Sequence, residues 1–164
     1  MKRQKPASTH KKVVIVLLDG TILKGYLNPA GLPAATVADF LTIEGEHQAV
    51  RLEDAKAFYF VDDFQRPHEP ERKTFLSRPK IEGLWLKLIF RDRDTIEGIA
   101  SNELLDAVDR GVQFTTPDLQ GNCARMFVPR TALSEVRVLG LVGVAKRATR
   151  PPAAASVQPR LFDE

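Results

Sequence analysis

Residues 13–27, VVIVLLDGTILKGYL, consist of an aliphatic run, an Asp-Gly pair and a second apolar run that contains Gly25. Residues 13–18 are too few for a helix and end at a turn pair, so they predict a β-strand, and residues 21–27 predict the return strand. Asp-Gly between apolar strands is the strongest short-range signal of a β-hairpin, because glycine accepts the positive φ of a tight turn. Gly25 inside the second strand predicts a bend or a bulge.

A weaker copy of this hairpin lies at residues 86–99, LKLIFRDRDTIEGI, where Arg93 stands in place of the turn glycine. Aligning Gly25 with Gly98 gives an offset of 73 residues. Further short strands are predicted at 38–43, 49–52, 56–61, 84–90, 111–116, 124–129 and 135–139, and residues 102–110 predict a short helix or a turn. Short strands at regular spacing, separated by glycine and aspartate turns, are typical of small barrels. The predicted fold class is therefore mainly β, with two tandem small β-barrel units.

The predicted domain boundaries follow changes in composition. Residues 1–12 are polar and basic, and we expect a disordered tail there. Residues 13–61 form the predicted first barrel unit and 84–145 the second. Residues 62–83 contain Pro67, Pro70 and Pro79 among charged residues, which is typical of a linker or an extended crossover. Residues 146–164, with Pro151-Pro152 and an alanine run, predict a second disordered tail.

Composition and charge narrow the functional class. The chain has 164 residues and a net charge of +3, but residues 13–145 hold fifteen basic and nineteen acidic side chains, a net charge of −4. The basic character therefore belongs to the tails, which argues against a phosphate-binding face on the body. No apolar run approaches the roughly 20 residues that span a bilayer, and no secretory signal is evident, so a cytoplasmic location without membrane contact is expected. The single cysteine, Cys123, excludes an internal disulfide and a cysteine-based zinc site.

The first hairpin resembles the first signature segment of Sm-like proteins, a family that includes the bacterial Hfq-type RNA chaperones. The matching residues are Val14, Val16, Leu18, Asp19, Gly20, Leu23 and Gly25. Residues 50–61 and 128–139 are similar in position to the second signature. The resemblance implies that the two tandem units are SH3/Sm-like small β-barrels, and it implies RNA binding. However, where the Hfq-like proteins carry a Lys-His pair, this chain has Arg51-Leu52-Glu53-Asp54-Ala55, with two carboxylates.

The whole layout, including the run FYFVDDF at 58–64, also resembles a family of uncharacterised bacterial proteins with tandem modules of this kind. Strand alternation places Phe58 and Phe60 in a barrel core and leaves Tyr59 for the surface.

No catalytic constellation is predicted. The three histidines, His10, His47 and His68, have no metal-ligand spacing, and the sequence contains no Gly-rich phosphate loop and no nucleophile elbow. Cys123 has no histidine near it in sequence, so we expect a structural thiol. The sequence therefore predicts that the protein is not an enzyme and has no catalytic residue, bound metal or cofactor.

Two segments are candidate binding sites. The basic N-terminal residues would contact nucleic acid; they are Lys2, Arg3, Lys5, Lys11 and Lys12. The C-terminal stretch Gln158-Pro159-Arg160-Leu161-Phe162 is similar to the Gln-x-x-Leu-Phe peptide with which bacterial proteins bind the DNA polymerase sliding clamp, and Gln158, Leu161 and Phe162 carry the match. A terminal segment of this composition could insert its two apolar anchors into a pocket of a partner.

The sequence therefore predicts a non-enzymatic protein-interaction or adaptor module with a protein partner. The alternative is a nucleic-acid-associated protein, held by Sm-like RNA binding or by the clamp-like peptide.

Overall fold

The computed structural model describes residues 9–103, 105 and 110–143, and it is mainly β. The described residues form ten strands and three 3₁₀ helices. The strands are β1 (Lys11–Leu17), β2 (Ile22–Leu27), β3 (Val37–Thr42), β4 (His47–Arg51), β5 (Ala55–Phe60), β6 (Gly83–Phe90), β7 (Thr95–Ala100), β8 (Gly111–Thr115), β9 (Arg125–Pro129) and β10 (Leu133–Val142). The 3₁₀ helices are η1 (Pro29–Ala34), η2 (Leu52–Asp54) and η3 (Arg130–Ala132). Most of the short helix or turn predicted at 102–110 lies outside the described residues.

All ten strands belong to one antiparallel sheet, in the order β10-β6-β7-β8-β9-β5-β1-β2-β3-β4. This corrects the expectation of closed barrels, because the sheet is open and its outer strands are β10 and β4. The reason is the pairing of β5 with β9, in which Phe58 lies opposite Phe127 and Tyr59 opposite Met126. Each of these strands uses its second edge to join the other half of the sheet, so neither half closes on itself.

The two predicted hairpins have the same turn. In the β1–β2 turn, Leu17 N donates to Thr21 O at 2.8 Å, and in the β6–β7 turn Phe90 N donates to Asp94 O at 2.8 Å. The Asp19 carboxylate accepts from Thr21 N, and the Asp92 carboxylate accepts from Asp94 N. Gly20 has a φ of 92° and Arg93 a φ of 77°, so the arginine adopts the left-handed conformation that glycine provides in the first hairpin.

Of the bend or bulge expected at Gly25, the bulge is absent from the β1–β2 pairing. The β1–β2 register is unbroken from Lys11↔Leu27 to Val16↔Ile22. A Cβ at position 25 would collide with the Leu41 carbonyl oxygen and crowd the Phe40 ring. Glycine is required there because β3 packs directly against this point of β2.

Strand β1 begins at Lys11, two residues before the predicted start. Lys11 and Lys12 pair with Leu27 and Tyr26 of β2 and therefore belong to the sheet. The ladder extends beyond the apolar run because backbone hydrogen bonds do not depend on side-chain polarity.

Two clusters of buried side chains lie against the sheet. One draws on both halves and includes Val14, Tyr59, Leu88 and Phe114; the other is built from the first half together with Phe127 of β9. Tyr59 is only 5% exposed, so the expectation of a surface tyrosine is wrong. His68 of the crossover covers it, with the two ring centroids 4.8 Å apart.

The crossover at residues 62–82 has no strand or helix, but Asn122 fixes its first part. The Asn122 side chain accepts from Asp62 N and Asp63 N and donates to the carbonyl oxygens of Asp63, Arg66 and Pro67. Farther along, Glu97 N donates to Lys73 O at 2.8 Å. The crossover is therefore packed against both halves of the sheet, through Tyr59 in the first half and through Asn122 and Glu97 in the second.

Candidate functional site

The candidate site is the open edge formed by β10. This ten-residue strand pairs along one side with β6, and within the described part of the chain no strand pairs with its other side. An edge strand presents unpaired backbone N–H and C=O groups, which can pair with an added strand. The backbone groups of this edge can therefore bind an added strand even without side-chain contacts.

The sequence of β10, LSEVRVLGLV, places apolar side chains on this edge. Leu133 and Val142 at the two ends are buried, whereas Val138, Leu139 and Leu141 are 51%, 42% and 47% exposed. The register with β6 shifts between Val138 and Gly140, so Leu139 has no partner in β6 and the regular alternation of faces is interrupted there. Isolated exposed leucines are ordinary, but three on one edge strand form a patch that a partner could cover.

Two breaks in the register define the regular part of the strand. They lie between Leu133 and Glu135 and between Val138 and Gly140. Between them, residues 135–138 pair continuously with 86–89 of β6. The Arg78 guanidinium donates to Leu141 O at 2.8 Å and so occupies a carbonyl at the far end of the strand. The accessible stretch for a partner is therefore 134–139.

The strand beneath this edge is firmly held. Leu86 and Leu88 of β6 are fully buried. Trp85 Nε1 donates to Glu97 Oε1 at 2.9 Å, and the same oxygen accepts from Phe75 N at 3.1 Å. The Phe75 and Trp85 rings meet edge to face at 6.3 Å. A partner on β10 would therefore meet a preformed surface, which reduces the entropic cost of binding.

The opposite edge, β4, differs in length and chemistry. It has five residues, of which Val50 alone is buried, and its exposed side chains include His47, Gln48 and Arg51. Short and polar edge strands are poor templates for further pairing. The asymmetry between the two edges favours β10 as the binding edge.

The Cys123 thiol and the Tyr59 hydroxyl lie in the core. Burial raises the pKa of the Cys123 thiol to about 12, and its Sγ donates to Arg125 O at 3.3 Å. Burial also raises the pKa of Tyr59 above its ordinary value. Both groups are neutral at physiological pH. Among the described residues, no group of three His, Cys, Asp or Glu side chains could hold a metal ion.

The structure places two of the sequence-predicted site residues. Lys11 is exposed on β1, and the Lys12 ammonium donates to Asp62 O at 3.2 Å and lies 5.8 Å from the Phe64 ring centroid. Lys12 thus fixes the start of the crossover. The other predicted residues lie outside the described residues; they are Lys2, Arg3, Lys5, Gln158, Leu161 and Phe162.

Sequence reasoning predicted a strand at 135–139 but did not identify it as an edge. The signal was present in its composition, since Val138, Leu139 and Leu141 follow one another with Gly140 as the only interruption.

Among the described residues, none of the helices has the length and apolar character that crossing a bilayer requires.

Comparisons with known proteins place the chain in a family without giving it an activity. Neither curated proteins nor solved structures yield a match. A family of unknown function, DUF6982, matches residues 9–140, which include β1 to β9 and most of β10. Since this match covers most of the chain, the protein belongs to the DUF6982 family.

Proposed function

We propose that the protein is a non-enzymatic interaction module that binds an extended, apolar segment of a partner protein as an eleventh strand along β10. The observation that carries this proposal is the exposure of Val138, Leu139 and Leu141 on a ten-residue edge strand. In strand addition, backbone hydrogen bonds supply affinity, and alternate side chains supply specificity.

Covering this edge would bury apolar surface that is now exposed. Full burial of an aliphatic side chain stabilises by about 1.5–3 kcal/mol, so each of these half-exposed residues would contribute about 1 kcal/mol. Backbone hydrogen bonds to residues 134–139 add to this gain, and both together must exceed the entropic cost of association. The partner segment should carry β-branched or aliphatic side chains opposite Val138 and Leu139.

We also propose that the sheet consists of two tandem SH3/Sm-like units joined edge to edge. The strand orders β5-β1-β2-β3-β4 and β10-β6-β7-β8-β9 support this division, since each half places its strands in the same sequence. The 3₁₀ helices η2 and η3 precede the last strand of each half. Gly25 packs against Phe40, and Gly98 packs against Phe114 in the same way.

A second candidate function is tethering to the DNA polymerase sliding clamp. It is supported by the Gln158-Pro159-Arg160-Leu161-Phe162 peptide, which follows the sheet in the chain and matches the clamp-binding pattern at three positions. This function is compatible with the first, because an adaptor needs two attachment points.

The test of strand addition is peptide selection against the whole protein. A displayed library of random twelve-residue peptides should yield binders with apolar residues at alternate positions. Val138→Lys combined with Leu139→Lys should reduce their affinity at least tenfold, because charged side chains on an edge oppose strand pairing.

Ile22→Lys is the matched control, since Ile22 is also 51% exposed but lies at the β1–β2 turn. Equal binding of the selected peptides to wild type and the double variant would refute the proposal. The molar mass of wild type in solution is measured as a function of concentration. If it rises with concentration and that of the double variant does not, a second copy of the chain, and not a partner, occupies the edge.

A further inference from the structure

A cleft of about 800 Å³ lies where η1 of the first half meets strands β7 to β9 of the second. Pro33 and Ala34 of η1 form one side, and Gln113, Thr115 and Arg125 lie on the other. Arg110 and Ser101 also line it. This cleft does not include β10, and nothing in the proposed function uses it.

The polar side of the cleft follows from strand register. Thr115 of β8 lies opposite Arg125 of β9, and Gln113 lies opposite Phe127. Residues opposite each other in an antiparallel pair share a face, so Gln113, Thr115 and Arg125 point to the same side of the sheet. Phe127 on that face is fully buried against Phe58, with ring centroids 5.9 Å apart. The hydrogen-bond donors of Gln113, Thr115 and Arg125 therefore lie beside the apolar core around Phe127.

Arg110 connects this cleft to a second one of about 550 Å³. The Arg110 carbonyl oxygen accepts from Arg130 N at 3.0 Å, which places the two arginines side by side. Arg51, Arg130, Thr36 and Thr131 line the second cleft together with Arg110. Four arginines thus surround two adjoining clefts on a body whose net charge is negative.

Two carboxylates lie at the clefts, one at each. Glu53 lines the second cleft and is ion-paired with Arg51, and Glu82 lines the first. Arg110 and Arg125 are exposed, and neither forms an ion pair with another residue of the described chain. Within the described residues, no carboxylate pairs with their guanidinium groups, and arginine binds phosphate through paired hydrogen bonds.

We propose that this cleft binds a phosphate-bearing ligand, with Arg110 and Arg125 on the phosphates and with Gln113, Thr115 and Ser101 as neutral donors. The phosphates could belong to a free nucleotide or to a single-stranded nucleic acid. The net charge of the body argues against a phosphate-binding face. Net charge does not show, however, where the arginines lie relative to one another.

The experiment measures binding of the full-length protein to two fluorescent probes, a twelve-residue oligouridylate and an ATP analogue. We expect Arg110→Gln with Arg125→Gln to weaken binding at least tenfold. For the oligonucleotide, the slope of log affinity against log salt should fall in magnitude by about 1.4, because each lost phosphate contact on a single strand contributes about 0.7. Preference for one probe identifies the source of the phosphate.

Arg66→Gln with Arg72→Gln is the charge-matched control, because both arginines are exposed on the crossover. This control should bind like wild type. The proposal is overturned if wild type binds neither probe, if the control loses as much affinity as the cleft variant, or if the cleft variant binds normally. If the cleft variant binds normally but replacing Lys2, Arg3 and Lys5 abolishes binding, the binding site is the N-terminal segment.

Discussion

Arg93 holds a conformation that its side chain disfavours. It occupies the turn position that Gly20 occupies in the first hairpin, with the same pattern of hydrogen bonds around it. A left-handed backbone costs a residue with a Cβ about 1–2 kcal/mol, whereas glycine adopts it freely. The second hairpin therefore forms against a local cost, and the pairing of β6 with β7 and β10 must offset it.

Arg93→Gly should raise the free energy of unfolding by about 0.5–1 kcal/mol, the relief of strain less the entropy that glycine loses on folding. Gly20→Ala should lower it by about 1 kcal/mol. A Cβ at position 20 has no atom within 4 Å, so this substitution isolates the backbone cost. Urea unfolding measures both, and a loss of stability in Arg93→Gly would show that the arginine side chain contributes more than its backbone costs.

Phe162 is the residue on which the clamp-like peptide depends. If the peptide binds the sliding clamp, Phe162→Ala in the full-length protein should abolish that binding, since aromatic anchors supply most of the energy of such contacts. Surface plasmon resonance against immobilised clamp measures it, with Arg160→Ala as the control that retains binding. Absence of wild-type binding at high micromolar concentration would end this candidate function.

At the scale of elements, Lys56 joins β5 to the β6–β7 turn. Its ammonium lies 2.6 Å from an Asp92 carboxylate oxygen and 2.7 Å from one of Asp94, and it sits 5.0 Å from the Phe90 ring centroid. Partial burial opposes the charge of Lys56, but the hydrogen bonds that its ammonium donates to the two carboxylates outweigh this effect, and the pKa of Lys56 is raised. The Lys56 hydrogen bond in turn lowers the pKa of Asp92.

These shifts predict how the contribution of Lys56 varies with pH. A lowered carboxylate pKa adds stability above the ordinary value of 3.8, and that stability is lost as pH falls through the lower folded value. A raised ammonium pKa adds stability below 10.5 that is lost above the folded value. The stability difference between wild type and Lys56→Met should therefore be constant from pH 5 to 9 and shrink below pH 4. Urea unfolding across this range measures it, and a difference unchanged at pH 2 would contradict the assignment.

The crossover depends on Asn122, which is 6% exposed and makes five hydrogen bonds to residues 62–67. Asn122→Ala should reduce the free energy of unfolding by about 3 kcal/mol, because several partly buried backbone groups lose their partners. It should also accelerate hydrogen exchange at the amide of Asp63, which donates to the Asn122 side chain. Asn28→Ala, which removes a single exposed cap bond to Ala30 N, is the control and should cost about 1 kcal/mol. Unchanged exchange at Asp63 would show that the crossover is held by other contacts.

Local elements were predictable from the sequence, and their assembly was not. The hairpins at 13–27 and 86–99 follow from periodicity and turn chemistry, which act over a few residues. The β5–β9 pairing joins residues about 70 positions apart, such as Phe58 and Phe127, and no local pattern encodes it. The role of Asn122 could not be predicted either, because its hydrogen-bond partners lie far from it in the sequence, at 62–67. For the same reason the strand at 135–139 was predicted, but its position at the edge required the whole sheet.

At the scale of the molecule, one open sheet presents two unlike edges and a cleft between its halves. β4 is short and polar, whereas β10 is long and carries exposed aliphatic side chains. The cleft at η1 and β8 is lined by arginines and lies apart from both edges. The two edges and the cleft are therefore separate surfaces, and variants at one of them can be tested without altering the others.

The most direct measurement is hydrogen exchange of the full-length protein, alone and saturated with a peptide selected for binding. Strand addition predicts slowed exchange of backbone amides within 134–139 of β10, unchanged exchange at 47–51 of β4, and no slowing at β10 when Val138→Lys and Leu139→Lys are present. Slowing confined to β4 or to residues 110–115, with β10 unaffected, would contradict the account.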